Sequence, residues 1–214
     1  MPSLDPHLDA LISKFSDLEH VLRDIQRAYE MLLDCYRAGG QVLLCGNGGS
    51  ASDSEHVVGE LMKGYLAQRP VPAELRQRLL ERFPVTGGYL ADHLQGALPT
   101  LSLVSQTSLI TAVANDIAGD MIFAQQVYGY GRPGDVLVAI STSGRSRNVV
   151  YAAQVAHVCG LSTLGMTGGS GGDLKPLCSV TVCVPRERTA DIQERHLAIY
   201  HAVCAMLEEA LFPA

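Results

Sequence analysis

The chain predicts an α/β fold: a three-layer sandwich with a central, mostly parallel five-stranded sheet flanked by helices, and a long helix ahead of it. Five short apolar runs recur between residues 41 and 184, with helical stretches between them. Short apolar strands alternating with helices mean a parallel sheet covered on both faces. Two of the runs end in loops rich in Gly and Ser, on the edge of such a sheet where ligands bind.

The first element is read from apolar residues at helical spacing: Leu8, Leu11, Ile12, Phe15, Leu18, Leu22, Ile25, Tyr29 and Leu32, closed by Gly39-Gly40. Residues 1–40 are thus one long amphipathic helix, or two with a break, packed on another subunit or on the chain's own core. The strands follow as Gln41–Cys45, Thr100–Val104, Asp135–Ser141, Ser162–Thr167 and Ser179–Val184. Helices are expected after the first glycine loop, over Ser146–His157 and from about Ile192 to Leu211. Residues 69–99 break the alternation and read as an insertion. Within it, Glu74 to Phe83 forms a short helix framed by Pro72 and Pro84. A solvated excursion and a wall or lid of the site are both open readings of this segment. The whole, residues 1–214, is read as a single domain.

Bulk properties narrow the function. The 214 residues can bury one sizeable core, and a composition 47% apolar and 18% charged is that of an ordinary globular protein. No apolar stretch is long enough for a membrane span, and no cationic, apolar leader opens the chain, so a cytoplasmic location is expected. A net charge of −6 without a basic stripe, together with the absence of Trp, argues against nucleic acid as the partner. The six cysteines show no C-x-x-C pairing and read as buried, reduced thiols.

The chemistry concentrates in four places. In GNGGS, Asn47, Gly48, Gly49 and Ser50 form a strand-to-helix turn, with Ser50 as the expected N-cap and free N–H groups to seat an anion. The spacing is neither that of a dinucleotide fold nor that of a P-loop. In STSGRS, Ser141, Thr142, Ser143 and Ser146 place four hydroxyls within six positions, enough to surround a phosphate with neutral donors. His56 and Glu60, at i and i+4, share one face of the helix after GNGGS. Gln193 and His201, at i and i+8, project within one quadrant of the last helix but about 12 Å apart along its axis. Those two can meet one metal only if it lies between them, the helix is irregular, or subunits mix their ligands. Taken singly, each of these polar residues reads as surface or capping.

Taken together, GNGGS with H-x-x-x-E, ANDIAGD, STSGxS, TGGSGG and IQExH-x₄-H, in that order, resemble the phosphoheptose isomerases of the sugar-isomerase (SIS) fold. The resemblance runs from about Leu8 to Leu211, interrupted by the 69–99 insertion, which is longer than is typical of that family. It implies conversion of D-sedoheptulose 7-phosphate to D-glycero-D-manno-heptose 7-phosphate through an enediol. It implies one Zn²⁺ per subunit on His56, Glu60, Gln193 and His201, with Glu60 as base and His201 as acid. Asn47 to Ser50 and Ser141 to Ser146 match the family's phosphate contacts, with Gln193 nearby. Asn115 and Asp116 match its sugar contacts. A homotetramer with sites between subunits is also implied, and would ease the Gln193–His201 geometry. Asp191 stands where the family often has Arg, which leaves room for a different ketose phosphate. A non-catalytic SIS protein that binds a sugar phosphate or a protein partner is the remaining alternative, opposed by the presence of all four metal-site residues.

Overall fold

The computed structural model describes residues 5–213. Five parallel strands, β1 (Val42–Cys45), β2 (Thr100–Ser102), β3 (Val136–Ile140), β4 (Ser162–Gly168) and β5 (Val180–Val184), form one sheet in the order β2-β1-β3-β4-β5. Each strand is an expected one trimmed by a residue or two, except β4, which extends to Gly168. Val42 pairs with Thr100 on one side and Val136 on the other. The chain therefore leaves β1 first to one flank and then to the other. The loop after β1 leads to a helix on one face and the loop after β3 to a helix on the other, the switch-point arrangement at which open α/β sheets bind ligands.

Alternation along the strands builds two cores. Val42, Leu44, Val138, Met166 and Val182 pack beneath α2 (Leu22–Arg37), α3 (Gly49–Leu61) and α9 (Thr189–Leu211). Leu43, Cys45, Leu137 and Ala139 face the opposite way, toward α7 (Ile122–Tyr130) and α8 (Arg147–Val158). A residue period of two sends neighbours to opposite faces, so continuous apolar runs are what a sheet covered on both sides requires. α6 (Thr107–Asp116) precedes α7 on the second face. All six cysteines are free thiols. Among the described residues, no helix is long and apolar enough to cross a membrane.

The N-terminal helix is broken. α1 (Pro6–Lys14) starts with Pro6 in its first turn and the Asp5 carboxylate accepting from the His7 N–H at 2.8 Å. It stops at Phe15, and a 3-10 turn, Ser16–Val21, leads into α2. The reason is tertiary: Asp17 in that turn takes ion pairs from Arg186 at 2.8 Å and Arg195 at 3.2 Å, and Arg195 also covers the Phe15 ring. The segment packs on its own domain, against α9 and the sheet.

Residues 69–99 fold into α4 (Ala73–Arg82) and α5 (Gly87–His93). Their base is closed where Pro70 bridges Gln95 and the Gly96 N–H donates to the Arg69 carbonyl. α4 has no buried residue, and Leu75, Leu80 and Phe83 are exposed.

Candidate active site

The glycine loop follows β1 and the hydroxyl loop follows β3, so both lie at the switch point. They are tied together: the Asn47 and Asn148 side-chain amides exchange two hydrogen bonds, each 2.9 Å. α3 begins at Gly49 with Gly48, at φ +57°, as its N-cap, and Ser50 is buried in the first turn. Ser50 is therefore not the cap expected from sequence; the positive φ at Gly48 lets the helix start two residues earlier. A Cβ on Gly49 would collide with the Gln193 amide, so the Gln193 side chain lies directly on the backbone of the loop.

In the second loop the Ser141 hydroxyl donates to the Ser146 hydroxyl at 3.0 Å, and the Ser143 hydroxyl accepts the Arg145 N–H at 3.2 Å. Ser146 is the positional N-cap of α8 without a capping side-chain bond, its hydroxyl being turned to Ser141 instead. Thr142 accepts the Gly168 N–H through its carbonyl, so the end of β4 holds the loop in place.

α3 and α9 run side by side in the same direction. Gly49 lies against Gln193, His56 against Tyr200 and His201, and the C-terminal end of α3 is joined to Glu208 through Arg69. This pairing brings His56, Glu60 and His201 together, with their ligand atoms all within 4.8 Å of one another. His56 Nε2 is 3.1 Å from Glu60 Oε1 and 3.5 Å from His201 Nε2. Nitrogen and oxygen ligands bound to one tetrahedral ion at about 2.1 Å would stand roughly 3.4 Å apart, so the three residues fit a divalent metal. The Glu60 second oxygen meets Lys63 at 3.7 Å, and Tyr65 stacks on the His201 ring.

Gln193 does not join this trio within one chain. From Gly49, which it touches, the rise along α3 to His56 is about 10 Å. Its amide belongs to the glycine loop. Asn115 and Asp116 stand exposed at the end of α6, bonded to each other at 2.7 Å; among the described residues no hydrogen bond links them to the trio.

Several residues around the site carry no signal in the sequence. The Tyr200 hydroxyl lies 2.9 Å from His56 Nδ1 and 3.3 Å from Asp53 Oδ1, and Asp53 Oδ2 is buried without a partner. Burial raises Asp53 above the ordinary carboxylate value, against the pull of Tyr200 and His56. Burial and Asp53 together raise the Tyr200 phenol, which stays protonated. Burial, then the neighbouring His56, lower His201, which favours a neutral ring with a lone pair to offer. Arg69 is completely buried and pairs with Glu208 at 2.7 Å while donating to the Leu61 and Glu60 carbonyls. Burial works to raise Glu208, but the N–H groups of Tyr65, Leu66 and Ala67 and the Arg69 guanidinium outweigh it and hold Glu208 below its usual value. Asp53 and Tyr200 are three and one positions from metal-site residues, the nearest thing to a clue. Arg69 and Glu208 gather only through folding.

The SIS domain family model matches residues 7–79 and 79–168. A phosphoheptose isomerase from Akkermansia muciniphila is 35% identical over 202 residues, covering 94% of this chain and 93% of its own. One from Rhodospirillum rubrum is 41% identical over 175 residues, covering 82% and 79%. The solved phosphoheptose isomerase of Neisseria gonorrhoeae superposes with a TM-score of 0.74 at 32% identity, over 95% of each chain. On this likeness across nearly its whole length, the chain belongs to the SIS-domain family and, within it, to the phosphoheptose isomerases.

Proposed function

We propose that the protein is a metal-assisted aldose–ketose isomerase that converts D-sedoheptulose 7-phosphate to D-glycero-D-manno-heptose 7-phosphate. The observation that carries this reading is the spacing of the site along α3. A phosphate seat at Gly49 and a base at Glu60 lie on one helix, with His56 about 10 Å along from Gly49. That suits a sugar phosphate bound open-chain, anion at one end and carbonyl at the other.

In this reading Asn47, Gly48, Gly49 and Ser50 meet the phosphate from one loop, and Ser141, Thr142, Ser143 and Ser146 from the other. The positive ends of α3 and α8 add to the attraction. Binding energy gathered there holds the sugar over the trio. Glu60 takes the proton from the carbon beside the carbonyl to give an enediol, and returns it to the adjacent carbon. His201, neutral by its surroundings, has one N–H to hand to the carbonyl oxygen as the enediol forms, and it takes a proton back from the hydroxyl on the carbon that lost its hydrogen as that carbon becomes the new carbonyl. His56, Glu60 and His201 would hold Zn²⁺, which when bound supplies positive charge to the carbonyl and hydroxyl oxygens. Gln193 serves the phosphate end of its own site, or completes the metal site of a neighbouring subunit in a homotetramer. Asn115 and Asp116 reach the sugar hydroxyls, and the enzyme works in the cytoplasm.

The test is turnover of sedoheptulose 7-phosphate by purified protein, with chelator and with added Zn²⁺. Metal-dependent appearance of the aldoheptose phosphate is the expected result. Turnover of a different ketose phosphate alone would keep the mechanism and change the substrate. Inertness toward every ketose phosphate would overturn the enzyme reading.

A further inference from the structure

We infer that Asp53 and Tyr200 are positioning residues that set the proton on His56, and thereby tune metal binding at the trio. The inference rests on the metal reading above and goes beyond it, since neither residue touches the ion or the substrate. The Tyr200 hydroxyl has one proton and two neighbours. It donates to Asp53 Oδ1 at 3.3 Å, so its oxygen is left to accept from His56 Nδ1 at 2.9 Å. His56 therefore carries its hydrogen on Nδ1, and Nε2 presents a lone pair toward Glu60 Oε1 and His201 Nε2. Two acceptors, His56 Nε2 and Glu60 Oε1, then face each other at 3.1 Å beside His201 Nε2, an arrangement that repels itself unless a proton or a cation sits between them. A ligating histidine that gives its other N–H to a carboxylate is a common way to fix ring orientation and raise basicity. Here a phenol is interposed between ring and carboxylate.

Two further observations support this direction of bonding. Asp53 Oδ2 is buried with no hydrogen-bond partner, so the Asp53 charge is balanced on one side only, through the relay toward the trio. Tyr200 is also fixed in space: it is buried in the core beside Ile199 and Val203, and its ring meets those of His56 and His201 edge-on, at 5.5 and 4.9 Å between centroids. The hydroxyl cannot leave the relay without repacking α9 against α3.

The experiment compares wild type, Tyr200→Phe and Asp53→Asn by Zn²⁺ competition with a chromophoric chelator, and by thermal melts of metal-free and Zn²⁺-loaded protein. Tyr200→Phe keeps the ring and its packing but removes the relay, and is expected to weaken Zn²⁺ binding roughly 10- to 100-fold. Asp53→Asn, which keeps an acceptor and drops the charge, should fall between it and wild type. The Zn²⁺-induced rise in Tm shrinks in the same order, while the metal-free melts stay close together. A purely structural role would lower both melts equally and leave the Zn²⁺ affinity alone. Affinity of Tyr200→Phe within twofold of wild type overturns the relay while leaving the metal site standing. Failure of wild type itself to bind Zn²⁺ overturns the metal reading and the relay with it.

Discussion

Two polar clusters join α3 to α9, one on either side of the last turn of α3, and they are built on opposite terms. In the first, Arg69 and Glu208 are buried and every charge is matched. Arg69 donates to Glu208 and to the carbonyls of Leu61 and Glu60, and Glu208 accepts from three successive backbone N–H groups. Removing two charges from water is costly, and only this density of bonds offsets it. In the second, the ligand atoms of His56, Glu60 and His201 crowd within 4.8 Å of one another, Asp53 Oδ2 has no partner, and the His56 ring is half open to solvent. A satisfied network holds a shape; a partly satisfied, solvent-accessible one is a place for a ligand. The two are coupled, because Arg69 grips the carbonyl of Glu60 itself.

The comparison can be broken from either side. The largest effect is expected at the open cluster: Glu60→Gln should lower kcat roughly 10²- to 10⁴-fold, since it removes the base proposed above. Its metal-free melt should stay within about 2 °C of wild type, because the site is not what holds the helices together. Normal turnover would remove Glu60 as the base. The closed cluster should answer in the opposite way. Arg69→Met strands a buried carboxylate and is expected to cost about 3–5 kcal/mol in urea unfolding. A loss under about 1 kcal/mol would show that Glu208 is satisfied by its backbone donors alone.

His196 sharpens the contrast, being half satisfied. It is completely buried, donates Nε2–H to the Thr167 carbonyl at 3.2 Å and leaves Nδ1 without a partner. Burial pushes it down from 6.5 to about 4. Between those two values the unfolded chain binds the extra proton and the folded chain refuses it. Stability should therefore fall as pH drops from 6.5 toward 4, by about 3 kcal/mol from this group, and level off below. His196→Gln should flatten that limb in denaturant titrations at pH 7 and pH 4.5; an unchanged slope would assign the acid sensitivity elsewhere. The smallest effect is expected at the phosphate end. Ser143→Ala removes one neutral hydroxyl far from the reacting carbons and should raise KM about fivefold at constant kcat, equivalent to about 1 kcal/mol. A defect confined to kcat would mean that the phosphate sits elsewhere.

The strands, their number and their parallel alternation with helices were legible because they are local: four or five consecutive apolar residues suffice for a strand buried on both faces. Glycine at 46, 48 and 49 and hydroxyls at 141, 142, 143 and 146 announced strand-to-helix turns in the same way. His56 and Glu60 were readable as neighbours from helical spacing alone. Everything that needs two distant segments was not. Ser50 was misread as a cap because the φ of +57° at Gly48 is a property of the folded loop. The break at Phe15 follows from Arg186 and Arg195 reaching back to Asp17, across more than 160 residues. His201 meets His56, and Tyr200 meets Asp53, only because α9 lies parallel to α3, and helical period carries no information about which helix will be the neighbour. Arg69 reads as the start of a surface excursion, yet among the described residues it is the one Lys or Arg that is buried. A charge can be buried only where its partners arrive from elsewhere, and that arrival is decided by the tertiary structure.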